Sequence, residues 1–291
     1  MMIRAIPIAA TRKPTYVIEP DRSWFKVDWS ELWAYRDLVV LLFRRDQASK
    51  YHQTILGPLW YVVHPLATAL IFSVVFARFA GISTEGVPRM LFYLSGLLSW
   101  NFFAQSLNAT SGIFAANAGL FGKVYFPRLV VPAAALMSTG VALVLQFFTF
   151  LAFFAIQKQM DPVAEFGMTP MLLLLPLIVL QTAALALGGG LLLSSLTARY
   201  RDLMHAVPYL ISSLMYVTPV IYPLSQVPPE YVWLVQLNPM TFIVEAFRLG
   251  LLGVGSLDPF AAAVSMGVTG VVLASGILLF QRIERRVVDT V

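Results

Sequence analysis

The chain contains no cysteine in 291 residues. Disulfides, thiolate zinc sites and thiol catalysis are thereby excluded. Charge is also scarce: 12% of residues are Asp, Glu, Lys or Arg, about half the share in a soluble domain. No internal repeat and no low-complexity tract is present, so repeat architectures are set aside. No cleavable signal peptide is visible. The first ten residues carry one cation and a short apolar patch, Ile6 to Ala10, soon followed by Pro14. Enzyme motifs are missing too: no Asp-rich metal motif, no His-Glu-x-x-His and no Gly-x-Ser-x-Gly. The nearest approach to a phosphate loop is Asn117-Ala-Gly-Leu-Phe-Gly-Lys123-Val124. Asn117 replaces the leading glycine, and Val124 replaces the hydroxyl that would hold magnesium. ATP is not bound there.

Hydrophobic residues, by contrast, make up 58% of the chain, and its mean hydropathy is +0.76. Such a composition specifies an all-α polytopic membrane protein. A bilayer core needs about 20 apolar residues per helix. Six stretches qualify: 59–80, 90–112, 129–157, 169–197, 204–223 and 259–281. A cytoplasmic N-terminus places ten cations on short inner flanks: Arg44, Arg45, Lys50, Lys123, Arg128, Arg199, Arg201, Arg282, Arg285 and Arg286. Only Arg78, Arg89, Lys158 and Arg248 then lie outside. That asymmetry obeys the positive-inside rule. Six crossings return the C-terminus, with its short tail 286–291, to the cytoplasm. The net charge of +5 is read in the same way, so no nucleic-acid partner is expected.

Residues 1–27 form an arm to which no role is assigned. Asp28 and Glu31 are spaced as a capping box, and residues 31–46 read as a helix with Trp33, Leu38, Leu41, Leu42 and Phe43 among charges. It has too many charges to span and is expected to lie in the membrane interface. An ordinary cytoplasmic helix packed on the bundle is the alternative. The unit 28–58 closes with a Gly57-Pro58 joint, and Trp60 opens the six-helix domain 59–285.

Between the fifth and sixth spans lie two short apolar pieces. Pro228-Pro229 opens the first, and Asn238-Pro239 opens the second, with proline at the first helical position of both. Roughly 9 and 14 residues cover about 14 and 21 Å, too little to cross. Residues 224–252 therefore read as a re-entrant helical hairpin on the outer side. Glu245 and Arg248 are three apart and able to pair.

Ion-driven transporters and membrane enzymes place charges within the membrane. Here no charged residue falls in the middle of a span. The deepest polar residues are His64, Asn101, Gln105, Gln146 and Gln181. Gln146 and Gln181 are expected to hydrogen-bond between helices. Work against a gradient must then draw its energy from another chain. The inner loop 113–128 is short and mostly apolar, which favours either a covering partner or folding back on the bundle. A second inner loop, 197–203, is equally short. Aromatics crowd spans one, two and five and the hairpin. Part of this load is an interfacial belt. The remainder is suited to stacking on sugar rings along a passage, by analogy with base stacking.

Six motifs then follow in order: Tyr51-x-x-Thr54-x-Leu56-Gly57-Pro58-Leu59-Trp60; Gly96-Leu-Leu-Ser-Trp100-Asn-Phe-Phe103; Asn117-x-x-Leu120-x-x-Lys123-Val-Tyr125-Phe-Pro-Arg128; Tyr200-Arg201-Asp202; Thr218-Pro-Val-Ile-Tyr222; and Leu237-Asn-Pro-Met240. Over about residues 30–285 the chain resembles the membrane subunit of ABC exporters for lipid-linked polysaccharide, the Wzm/TagG-like permeases of O-antigen, capsule and teichoic acid export.

The resemblance implies a homodimer with two copies of a separate ATP-hydrolysing subunit, which would hold ATP and magnesium. This chain would hold no cofactor or metal and would not be catalytic alone. The substrate would be an undecaprenyl-diphosphate-linked glycan leaving a bacterial inner membrane. Arg44, Arg45, Lys50, Tyr51, Gly57 and Trp60 would form the threshold for its lipid diphosphate. Tyr61, Phe72, Phe76, Trp100, Phe102, Phe103, Tyr216, Tyr222 and Trp233 would line the glycan channel. Asn117, Leu120, Phe121, Lys123, Tyr125 and Arg128, with Arg199, Tyr200, Arg201 and Asp202, would couple to the ATPase. Alternatives are an ABC permease for another amphiphile or drug, or a polytopic glycolipid-processing enzyme. The enzyme should show acids at a membrane face, and Asp202 alone does not meet that need.

Overall fold

The computed structural model describes residues 29–52, 54–121, 126–200 and 202–288. The arm 1–27, Asp28, Lys123, Tyr125, Arg201 and the last three residues lie outside the described set, as do the side chains of Glu31, Leu120, Arg285 and Arg286. Among the described residues the fold is all-helical. In chain order the helices are α1 (Trp29–Ala34), α2 (Arg36–Tyr51), α3 (Trp60–Phe72), α4 (Arg89–Ser111), α5 (Ile113–Ala116), α6 (Ala118–Phe121), α7 (Val130–Met160), α8 (Leu175–Thr197), α9 (Leu203–Val217), α10 (Pro229–Gln236), α11 (Pro239–Leu252) and α12 (Pro259–Val288).

Among the described residues, four helical stretches are long and apolar enough to cross a membrane: Gly57–Phe79, Val130–Met160, Pro170–Thr197 and Pro259–Ile283. The first joins a 3-10 turn, α3 and a π-helical end at Ser73–Phe79. Two expected spans differ in character. Helix α9 is apolar but has 15 residues. Helix α4 has 23 residues, and its polar residues reduce its hydropathy because it occupies the centre of the bundle: every residue from Leu91 to Trp100 is buried. Its polar side chains are satisfied inside the protein. Asn101 Nδ2 donates to Gln146 Oε1 of α7 at 3.2 Å, and the Ser106 and Thr139 hydroxyls meet at 2.8 Å. Gln181 Nε2 of α8 likewise donates to Ser265 Oγ of α12 at 2.7 Å. The interhelical bonds expected of Gln146 and Gln181 are therefore formed.

The helix expected at 31–46 is broken at Tyr35 and runs on to Tyr51. The Asp46–Lys50 stretch lacks an apolar stripe, but several of its residues are good helix formers. Its polar face packs on α7 instead of ending. The Gly57-Pro58 joint forms as a 3-10 turn, with Gly57 at φ +50, where a side chain would be strained.

Candidate functional site

At one end of the bundle, α2 lies across the start of α7. Lys50 Nζ donates to Ser138 Oγ at 2.8 Å, while Gln47 Nε2 donates to the Ser138 carbonyl and hydroxyl at 3.2 and 3.3 Å. Residues 47, 50 and 51 share one helical face. That register turns Gln47 and Tyr51 partly inward, while Arg44, Arg45 and Lys50 remain exposed. Arg45 Nη2 pairs with Asp46 at 3.1 Å, an exposed bridge of small energetic weight. The Tyr51 hydroxyl is buried without a hydrogen-bond partner, and its ring meets Tyr61 edge-on at 6.1 Å. Burial, with the neighbouring Tyr61 phenol, pushes the Tyr51 pKa up to about 12. Tyr51 therefore remains a neutral donor near pH 7. Trp60 is 54% exposed beyond the joint. The six threshold residues thus divide into an exposed arginine pair, an exposed Lys50 held by Ser138 beside the half-buried Tyr51, and the Gly57–Trp60 turn.

Behind α2 is a cavity of about 230 Å³, lined by Arg45, Asp46, Lys50, Ile113, Asn117 and Ser138 among others. It brings the threshold face together with Asn117 of the expected coupling segment. That segment folds back on the bundle through its aromatics. Phe114 stacks on Phe280 of α12 at 4.7 Å and approaches Phe121 at 6.0 Å, and Phe121 in turn lies 5.9 Å from Phe126. The Arg128 guanidinium sits 5.1 Å over the Phe121 ring and is buried. Ala116 and Gly119 face outward. Thr197 Oγ1, at the end of α8, donates to the Ser111 carbonyl at the end of α4 at 2.9 Å. The start of the 113–121 segment and the residues 198–200 that follow α8 are therefore neighbours. Arg199 and Tyr200 are exposed and in cation–π contact at 5.4 Å, and Asp202 is exposed.

The nine channel aromatics do not share one surface. Trp100, Phe102, Phe103 and Phe72 are sealed in the protomer interior. Trp100 and Phe103 pack at 5.5 Å, and Phe72 packs on Phe76 and Tyr93. They cannot line an open passage in this arrangement. The cause is the central position of α4, which a pattern of aromatic residues does not reveal. Tyr216 and Trp233 are 59% and 58% exposed, whereas Tyr61, Phe76 and Tyr222 are partly exposed.

At the opposite end, Asn238 caps α11 by accepting from the Met240 amide at 3.0 Å, and Gly253 ends it at φ +75. Helix α11 is almost wholly buried, whereas Tyr231, Trp233 and Leu234 of α10 are exposed. Arg248, one of the four cations that the sequence places on the outer side, is fully buried. Its Nη1 bonds Glu245 Oε1 at 3.1 Å, its Nη2 donates to the Val220 carbonyl at 2.7 Å, and its guanidinium lies 4.0 Å over Phe92. A second Nη1 bond reaches the Tyr222 carbonyl at 3.3 Å. Gly96 leaves room for this group: a Cβ there would approach Arg248 Nη2 and the Val220 carbonyl to 3.2 Å. The i,i+3 spacing predicted the ion pair. The carbonyl clamp has no local signal, because its acceptors lie 26 and 28 residues away. Among the described residues no acidic or histidine cluster is arranged to hold a metal.

The family model described as ABC-2 type transporter matches residues 37–252. An O-antigen export system permease protein, RfbA, of Klebsiella pneumoniae is 27% identical over 254 residues, covering 86% of this chain and 93% of the relative. A protein of the same description from Myxococcus xanthus is 26% identical, covering 75% and 81%. The polysialic acid transport protein KpsM of Escherichia coli is 25% identical, covering 72% and 79%. With its matched region running from the start of α2 to the end of α11, the chain belongs to the ABC-2 type transporter family.

Proposed function

We propose that the chain is the membrane-spanning permease of an ATP-driven exporter that moves undecaprenyl-diphosphate-linked polysaccharide outward across a bacterial inner membrane. The observation that carries this reading is the similarity to O-antigen and polysialic acid export proteins along most of both chains. In this reading α4 and α9 complete six crossings, α10 and α11 form a re-entrant hairpin at the outer face, and both termini are cytoplasmic. Two copies pair with two ATPase subunits that bind ATP and magnesium.

Exposed Arg44 and Arg45 attract the diphosphate through charge-assisted hydrogen bonds, and Lys50 and Tyr51 receive it at the Gly57–Trp60 turn. The exposed aromatics, Tyr216 and Trp233 with Tyr61, Phe76 and Tyr222, border the glycan path. The outward part of 113–128 docks on the ATPase, with the adjacent 198–202 turn as a second contact. The test is deletion of the gene in its host. Surface polysaccharide should disappear while lipid-linked glycan accumulates inside, and the wild-type chain should restore export. Unchanged surface polysaccharide would refute the proposal.

A further inference from the structure

The turn after α9, helix α10 and the loop between α11 and α12 surround an open cleft of about 570 Å³, a size usual for small-molecule sites. Two of the polar side chains in its wall are sunk in the protein: Glu245 is 3% exposed and Gln236 7% exposed. Gly255, at φ +95, permits this, because a Cβ there would come within 2.6 Å of Glu245 Oε2. Glu85, from the loop before α4, and Asp258, just before α12, continue the polar lining. Internal hydrogen bonds order these groups. Gln236 Nε2 donates to Asp258 Oδ2 at 2.8 Å, and the Phe260 amide donates to Asp258 Oδ1 at 2.8 Å. The Ser225 hydroxyl donates to Glu85 Oε1 at 2.7 Å. A carboxylate offers about four lone-pair sites, so both acids keep acceptors for a ligand. Arg248 balances Glu245. Among the described residues no cation lies within salt-bridge distance of Glu85 or Asp258. Leu224, Val232 and Val254 add apolar walls between the polar groups.

We propose that this cleft binds neutral sugar residues of the exported glycan and rejects acidic ones. The inference rests on the export reading above and names the substrate class. A sugar ring carries hydroxyl donors around its rim and C–H groups on its faces. Carboxylate acceptors spaced between apolar walls match both. The acceptors come from separate segments, and among the described residues they do not converge as a metal site would. Two carboxylates without a counter-charge repel a sugar that bears its own carboxylate, which is specificity by exclusion. The cleft also shares α10 with Trp233, an exposed aromatic assigned above to the glycan path.

The test needs neither the ATPase nor export. The purified full-length chain, in a detergent without a sugar headgroup, is titrated by saturation-transfer NMR. The probes are neutral tetrasaccharides of mannose, galactose and N-acetylglucosamine, and a sialic acid tetramer. At least one neutral probe should bind about tenfold more tightly than the acidic one, or better. Glu85→Gln/Asp258→Asn keeps the internal bonds, because amides retain an accepting oxygen and Asn caps a helix as well as Asp does. That pair should reduce the preference about tenfold. Val232→Trp, which fills the cleft, should abolish binding of the neutral probe. Binding of no neutral probe, equal binding of the acidic one, or an unchanged preference in the Gln/Asn pair would overturn the proposal. Such results leave the export reading standing. Sugar binding by a chain whose deletion spares surface polysaccharide would instead sink that reading alone.

Discussion

The two ends of the bundle handle arginine in opposite ways. At the hairpin end, Arg248 and Glu245 are buried and paired with each other, and the two terminal nitrogens of Arg248 also bond backbone carbonyls while its Nε has no partner. At the basic end, Arg44, Arg45 and Arg199 remain exposed, and two cavities open beside arginines. Internal pairing holds a fold together. Charge left on the surface is available to ligands. The contrast separates stability from recognition along a single chain.

The largest expected effect lies at the hairpin end. Arg248→Ala removes one partner of a buried pair and should destabilise the protein by about 3–5 kcal/mol, read as loss of folded protein in detergent. Replacing both members, Glu245→Leu with Arg248→Met, should be far less harmful. If the double variant is as unstable as Arg248→Ala, the carbonyl clamp rather than the pair dominates. Next comes the inner core: Asn101→Leu should cost about 0.6 kcal/mol, the typical worth of an interhelical bond in a membrane protein, measured by thermal unfolding.

Smaller stability effects but larger functional ones are expected at the basic end. Arg44→Gln/Arg45→Gln should leave stability within about 0.5 kcal/mol while raising the lipid-diphosphate concentration for half-maximal stimulation of ATP hydrolysis by the complex. A loss of folded protein there would blur the contrast. The smallest effect concerns Tyr51. Its folded pKa lies above the unfolded value, so its contribution is fully present below pH 10 and is lost only as pH rises toward about 12. Wild type and Tyr51→Phe should therefore show parallel stability profiles from pH 6 to 9.

Much of this arrangement was legible in the residues. Prolines at first helical positions located α10 and α11 almost to the residue. The Gly57-Pro58 joint and the Glu245–Arg248 pair were visible because their signals are local. Three features were not. A run of aromatic residues does not show whether its helix is central or lipid-facing, so Trp100, Phe102 and Phe103 looked available for a channel although α4 buries them. The continuation of α2 to Tyr51 depends on Ser138, 88 residues from Lys50. The backbone clamp of Arg248 likewise depends on where a distant loop lies.

The most direct test reconstitutes this chain with its ATPase subunit in proteoliposomes loaded with undecaprenyl-diphosphate-linked glycan. The account predicts ATP-dependent movement of the glycan to the opposite leaflet, reduced by Arg44→Gln/Arg45→Gln although the complex remains assembled. Glycan that stays in its original leaflet under ATP hydrolysis, with the complex intact, would contradict it.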